Sequence, residues 1–277
     1  MNITAIQTGV VRVKPLFIKG SVGVGGMLPF LVKLHSEREF IDIPIYAWAI
    51  EHAEGVIIVD TGDSSASVSD FVTATRYVIA PEEEIGPQLA ARGIKQTDIA
   101  KVVLTHIHGD HVRGLKHFQN APIYLRDAEY TDARTLLNRA ITPLPAGLSP
   151  TLFSLLPEPL GPFAQSYPLT RDGTVIAVPT PGHTPGHISV VVRDGDLSYF
   201  LSGDITYTEA ALLDQALQGP TRAPKQQVET LRKTLDFVQS SPTIYLPSHD
   251  PQSAARLAVR QLTHPHPAAG TMPSRPR

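Results

Sequence analysis

Short apolar, β-branched runs dominate the first part of the chain. Ile3 to Ile6, Val10 to Val13, Ile43 to Ile50 and Val56 to Val59 read as strands, the last running into the turn Asp60-Thr61-Gly62. Between them, Lys19 to Pro29 carries Gly20, Gly23, Gly25 and Gly26, which predicts a mobile loop with little local structure. Pro81 and the acids after it start a predicted helix over Ala80 to Arg92, closed by Gly93. Ile99 to Leu104 reads as a buried strand that delivers Thr105 to His111 at its C-terminal end, where open α/β sheets tend to keep their chemistry. Arg126 to Leu137 is predicted helical. Thr142 to Pro168, rich in Pro and Leu and without a period, reads as an insertion or lid between two halves. A second set of strands is expected at Val175 to Val178, Ile188 to Val192, Tyr199 to Leu201 and Thr243 to Leu246. Helices are expected at Gln226 to Val238, with an apolar stripe of Val228, Leu231, Leu235 and Val238, and at Ala254 to Leu262. The Pro- and His-containing tail, residues 263–277, is predicted disordered, leaving one domain over residues 1–262.

Onto this frame fall two histidine-rich segments, Thr105-His106-Ile107-His108-Gly109-Asp110-His111 and Gly182-His183-Thr184-Pro185-Gly186-His187, followed by Ser202-Gly203-Asp204 and Ser248-His249-Asp250. Imidazole nitrogen and carboxylate oxygen suit a borderline-soft divalent metal, and five His with two Asp exceed what one tetrahedral ion takes. Two metals are the natural reading. His106 and His108, two apart in an extended segment, can point to one side and share an ion that His183 completes. Asp110 and His111, on a bend aided by Gly109, reach a second ion with His249, and Asp204 supplies a bridge. Two such ions activate water at neutral pH, so hydrolysis is the implied chemistry. His187 reads as a hydrogen-bonding support for its loop, His35, His52 and His117 as surface or packing residues, and His264 and His266 as solvated tail.

Composition narrows the partners. A formal net charge of −2 with scattered Lys and Arg offers no basic face to nucleic acid and no polybasic membrane patch, which favours a small-molecule substrate. With no cysteine, a transition metal must be held by nitrogen and oxygen, with zinc the leading candidate and iron, cobalt or manganese the alternatives. No apolar stretch approaches the roughly 20 residues that span a bilayer. Met1 to Val13 alternates as a strand does and a signal peptide does not, which makes a cytoplasmic location the default.

These segments resemble the metallo-β-lactamase superfamily over essentially the whole chain to about Leu262, and occur in that superfamily's order after Asp60-Thr61-Gly62. The resemblance implies an α+β fold, the αβ/βα four-layer sandwich, with His106, His108 and His183 on one metal, Asp110, His111 and His249 on the other, and Asp204 bridging. The chain resembles N-acyl homoserine lactone lactonases in particular. Tyr207 stands three residues after Asp204, where those enzymes have a Tyr that hydrogen-bonds the lactone carbonyl, and Ile43-Pro44-Ile45-Tyr46 precedes the Asp-Thr-Gly strand as in them. Lactone ring opening (quorum quenching) is therefore the implied activity, with Tyr207 polarising the carbonyl and Asp110 moving the proton. The alternative is a promiscuous carboxylic ester, thioester or organophosphate hydrolase.

The likeness departs at Val112-Arg113-Gly114-Leu115, where the lactonases have small residues and an Asn, so Arg113 is expected to alter the surroundings of the metals or the pocket rim. An acyl chain needs an apolar groove, and Met27, Leu28, Phe30, Phe71 and Tyr77 are the candidates to line it. The Gly-rich loop is also the candidate surface for a homodimer. Asp204 and the lack of Cys argue against a β-lactamase, the missing basic C-terminal domain against a glutathione thioesterase, and His108 against flavo-diiron relatives. A metal-binding protein without turnover is opposed by Asp110 and Tyr207.

Overall fold

The computed structural model describes residues 1–19, 27–67, 74–135, 144, 147–219 and 221–263. Strand β1 (Asn2–Val13) pairs antiparallel with β2 (Ile41–His52), and β2 with β3 (Gly55–Val59). The runs at Ile3 to Ile6 and Val10 to Val13 are one strand whose register shifts between Gln7 and Val10. Gly9 sits at that shift with φ of 108°, a conformation open to a residue without Cβ. β3 then runs parallel to β5 (Ile99–Val103), β5 to β6 (Ile123–Arg126) and β6 to β7 (Thr151–Phe153), while β4 (Arg76–Val78) forms the far edge against β1. The second sheet joins β8 (Tyr167–Pro168), β9 (Val175–Pro179), β10 (Ile188–Asp194), β11 (Leu197–Gly203) and β12 (Thr243–Pro247) in the order β12-β11-β10-β9-β8.

Strand alternation sorts the apolar side chains into layers. Trp48, Ile50, Ile57, Val59 and Val103 of the first sheet meet Ala177, Val190, Val192, Leu201 and Leu246 of the second in one buried cluster. On the outer face of the first sheet, Ile58, Val102 and Leu125 pack on Ile85 and Leu89 of α3 (Ile85–Ala91), Val112 of α4 (Gly109–Val112) and Ala133 of α5 (Asp127–Ala133). Outside the second sheet, Val178, Val191, Phe200 and Tyr245 take Leu212 of α6 (Glu209–Leu213) and Leu231, Phe237 and Val238 of α7 (Pro224–Ser240). Helices, sheet, sheet and helices are the four layers expected of the αβ/βα sandwich.

Several boundaries differ from the sequence reading. The predicted loop over Lys19 to Pro29 is flanked by helix: α1 (Leu16–Lys19) ends at Lys19 and α2 (Met27–Ser36) opens at Met27, while residues 20–26, the proposed dimer surface, lie outside the described residues. The helix over Ala80 to Arg92 breaks at Glu84, whose extended backbone turns its buried carboxylate toward Ser65, Lys116 and His117. The helix predicted from Arg126 begins at Asp127, because Ile123–Arg126 is a strand paired on both sides. The predicted lid supplies edge strands to both sheets, β7 and β8. On α7, Val228 is 54% exposed, and the buried stripe instead includes Gln227, Thr230 and Thr234. The last helix is α8 (Ser253–Ala258), shorter than predicted. Thr263 remains tied to the fold, its N–H donating to Thr243 O and its hydroxyl oxygen accepting from Tyr245 N; the rest of the predicted tail, 264–277, lies outside the described residues.

Candidate metal centre

Four strand ends converge at the seam between the sheets. β5 leads into Thr105 to His111, β9 into His183, β11 into Asp204 and β12 into His249. His106 Nε2 lies 3.0 Å from His108 Nδ1, which lies 2.9 Å from His183 Nε2. His249 Nε2 lies 3.5 Å from Asp110 Oδ2. Asp204 faces both groups with different oxygens. Its Oδ2 is 3.9 Å from His106 Nε2 and 3.4 Å from His183 Nε2, and its Oδ1 is 3.2 Å from His111 Nε2 and 3.5 Å from His249 Nε2.

Tetrahedral donors at the usual 2.0–2.1 Å from zinc stand roughly 3.3 Å apart, and the spacings here bracket that value. Two clusters follow, His106, His108, His183 and Asp204, and Asp110, His111 and His249. Three buried atoms of these residues, His111 Nε2, His183 Nδ1 and Asp204 Oδ1, lack a well-aligned hydrogen bond, and for His111 Nε2 and Asp204 Oδ1, 3.2 Å apart, a cation would satisfy both. The donor set therefore fits divalent metal. All seven residues are buried except His108 and Asp110, which are half-buried and mark the open side of the site.

Burial, reinforced by neighbouring imidazoles, holds His106 and His183 well below the usual imidazole pKa, and burial lowers His108 as well. Their lone pairs are free, as a metal requires. For His111 and His249 burial works in the same direction, but the Asp204 carboxylate, aided by Asp60 for His111 and Asp110 for His249, raises both. Asp204 is held well below the carboxylate range, since its pairing with His111 and His249 outweighs burial.

The surrounding contacts orient the donors. His111 Nδ1 pairs with Asp60 Oδ2 at 2.8 Å, and Asp60 also accepts from Thr105 N and Oγ1 at 2.8 Å each. His249 Nδ1 faces Pro44 O at 2.8 Å. His187 Nε2 accepts from Asp204 N at 3.1 Å and its Nδ1 meets Thr180 Oγ1 at 2.9 Å. Buried polar residues of α7 explain its unexpected stripe: Gln227 donates to Ile205 O at 2.6 Å and Thr230 to Pro181 O at 2.7 Å, pinning the loops that carry Asp204 and His183. The sequence reading assigned no such role to Asp60 or to Glu129, whose carboxylate touches both histidine loops. A buried acid outside any metal spacing was the signal available for either.

The remaining named residues fall at different places. Tyr207 is buried with its ring edge-on to His249 at 5.2 Å, and burial with the charges of Asp204 and Asp110 raises its pKa far enough to keep the hydroxyl a donor. Phe30 is buried, packing on Phe17, which stacks on Tyr207. Tyr77, half-buried in β4, has its pKa raised by burial and by the nearby Asp110 and Asp63. The Arg113 guanidinium pairs with Asp63 at 3.0 Å and covers the Tyr77 ring at 5.2 Å. Met27 opens α2, and nothing of its side chain is described; Phe71 lies outside the described residues. Of the other histidines, His52 pairs with Asp172, His117 with Glu84, and His35 is exposed on α2.

Residues 41–249 match the family model of the metallo-beta-lactamase superfamily. A Mycobacterium tuberculosis protein named "Probable metallo-hydrolase" is 32% identical over 178 residues, 59% of this chain and 57% of that one, so the match spans little more than half of that relative. The N-acyl homoserine lactonase AttM of Rhizobium radiobacter is 24% identical over 230 residues, covering 77% of this chain and 84% of the relative. A solved N-acyl homoserine lactone hydrolase, with the product N-hexanoyl-L-homoserine at its catalytic metal center, has a TM-score of 0.72 at 21% identity. The superposition covers 90% of this chain and 93% of that one and speaks for the fold. Sequence and architecture agree that this chain belongs to the metallo-beta-lactamase superfamily.

Proposed function

We propose that the protein is a dinuclear metal-dependent hydrolase that opens the lactone ring of N-acyl homoserine lactones. The observation that carries the reading is Asp204, which turns one carboxylate oxygen to each of two donor groups, with Tyr207 three residues on beside His249. The named lactonase relatives, covered over most of their length, support the choice of substrate. His106, His108 and His183 would hold one ion and Asp110, His111 and His249 the other. Two divalent ions, zinc first with iron, cobalt or manganese as alternatives, supply when bound an acidified water and Lewis acidity toward an ester carbonyl.

The chain's own groups do the rest. The Tyr207 hydroxyl, held protonated, donates to the carbonyl oxygen as negative charge builds there. Asp110, half-buried on the open side, carries the proton to the departing ring alkoxide. Tyr77, under Arg113, stands on the side of Asp110 and offers a wall for the acyl chain. Among the described residues no helix is long and apolar enough to cross a membrane.

The test is proton release in weak buffer on adding short- and long-chain acyl homoserine lactones to metal-loaded protein. Ring opening should vanish in Asp204→Asn together with bound metal. Tyr207→Phe should keep its metal and lose about 10- to 1000-fold in kcat, the scale of one oxyanion donor. Turnover of aryl or phosphotriesters but not lactones would replace the substrate with the broader ester or organophosphate alternative. Full activity in Tyr207→Phe would remove that residue from the chemistry.

A further inference from the structure

Glu129 is a buried acid that the chemistry above does not use. It is the third residue of α5, 2% exposed, and its two oxygens face different loops. Oε1 accepts the N–H of Ile107 at 2.9 Å, the residue between His106 and His108. Oε2 accepts the hydroxyl of Thr184 at 2.7 Å and the N–H of Gly186 at 3.1 Å, both on the loop just after His183. The first loop leaves a strand of the seven-stranded sheet and the second a strand of the five-stranded one. The approach is close: a Cβ at Gly186 would stand 2.2 Å from Glu129 N.

We propose that Glu129 is a positioning residue that fixes the separation between the His106–His108 pair and His183, and so tunes that metal position and not the other. The inference rests on the metal-centre reading above. Three donors converge on two oxygens, and only a carboxylate presents acceptors to both loops. In Glu129→Gln, an amide nitrogen must face either the Ile107 N–H or the Gly186 N–H. Whichever way the amide turns, one loop loses its anchor, while the contacts of Glu129 go to Ile107, Thr184 and Gly186 and not to Asp110, His111 or His249 themselves. Supporting contacts of this kind are worth about 10- to 100-fold in metal affinity.

Competition with a chelator for zinc gives the two dissociation constants of the full-length protein, assigned with His108→Ala and His249→Ala as references. In Glu129→Gln the constant lost in His108→Ala should rise about 10- to 100-fold and the constant lost in His249→Ala should hold. A merely structural role for Glu129 would weaken both sites equally, and that result, or no change in either, overturns the proposal. If the unaltered chain binds zinc at neither reference site, the metal-centre reading itself falls. Should Glu129→Gln not fold, Thr184→Val decides: removing one donor to Oε2 should weaken the same site in the same direction, and an unchanged constant there overturns the assignment.

Discussion

Replacing Asp60 by Asn probes the second metal position through a single proton. Asp60 is fully buried and its backbone has φ of 58°, a left-handed conformation that Asn also tolerates, so the substitution leaves the turn intact where Ala would strain it. For His111 Nε2 to offer its lone pair inward, Nδ1 must carry the proton and donate it to Asp60 Oδ2, 2.8 Å away. The other oxygen of Asp60 is committed to Thr105 N at 2.8 Å. In Asp60→Asn the amide oxygen keeps Thr105 and the amide NH2 faces Nδ1, which shifts the imidazole proton to Nε2, where Asp204 Oδ1 at 3.2 Å accepts it. A metal then binds only after the amide flips and leaves the Thr105 N–H buried without a partner, at about 1–3 kcal/mol. That corresponds to roughly 10- to 100-fold in affinity, the usual worth of a carboxylate behind a metal-bound imidazole. Chelator competition should find the Asp110, His111 and His249 constant weaker by that factor and the three-histidine constant unchanged. Equal weakening of both sites would refute the tautomer argument, and so would no weakening at all.

Two further outcomes are expected. Glu84 is held at about 2: burial opposes ionisation, but bonds from Lys116, Ser65 and His117 outweigh it. Because the folded value lies below the ordinary 4.5, the pairing stabilises fully above pH 4.5 and is lost as pH falls toward 2, so urea midpoints should drop across that window and drop less in Glu84→Gln; parallel profiles would dismiss the pair. Gly114→Ala should lower unfolding free energy by about 1–3 kcal/mol in the metal-free protein, since a Cβ there stands 2.0 Å from Thr61 O, and unchanged urea unfolding would show that the turn yields freely.

That the seven candidate donors gather into two clusters was legible because such a set stands out in residue type and spacing, and because strand ends are readable from short β-branched runs such as Ile99–Val103. Their supports were not. Asp60 lies 51 residues from His111, and Glu129 lies 55 and 57 residues from Thr184 and Gly186, so nothing local ties them to the site. The strands β6 and β7 were missed for a related reason. Four and three residues are too few to show a period, and their identity as strands comes from parallel pairing with neighbours far along the chain. Phe30 was read as a candidate groove residue within the Gly-rich loop, since an acyl chain needs an apolar wall. In the fold it shares a buried cluster with Phe17 and Tyr207, packing that a run of glycines earlier in the sequence does not reveal.

Each donor group draws on both sheets: the first takes His106 and His108 from one and His183 from the other, the second takes Asp110 and His111 from one and His249 from the other. Such a site is only as well set as the seam between the sheets. Apolar packing alone fixes that seam loosely, since side chains can slide past one another at little cost. Directional contacts across it are what hold the donors in register. Ile188 N donates to Thr105 O at 3.0 Å, Tyr46 N to Ser248 O at 2.9 Å, and His249 Nδ1 meets Pro44 O. With Glu129 clamping the histidine loops, these bonds keep five imidazoles and two carboxylates crowded together in the interior. Crowding of that kind in a protein interior persists only where its surroundings over-determine it. In this protein the over-determination comes from backbone bonds between sheets, and it is concentrated at the candidate metal centre.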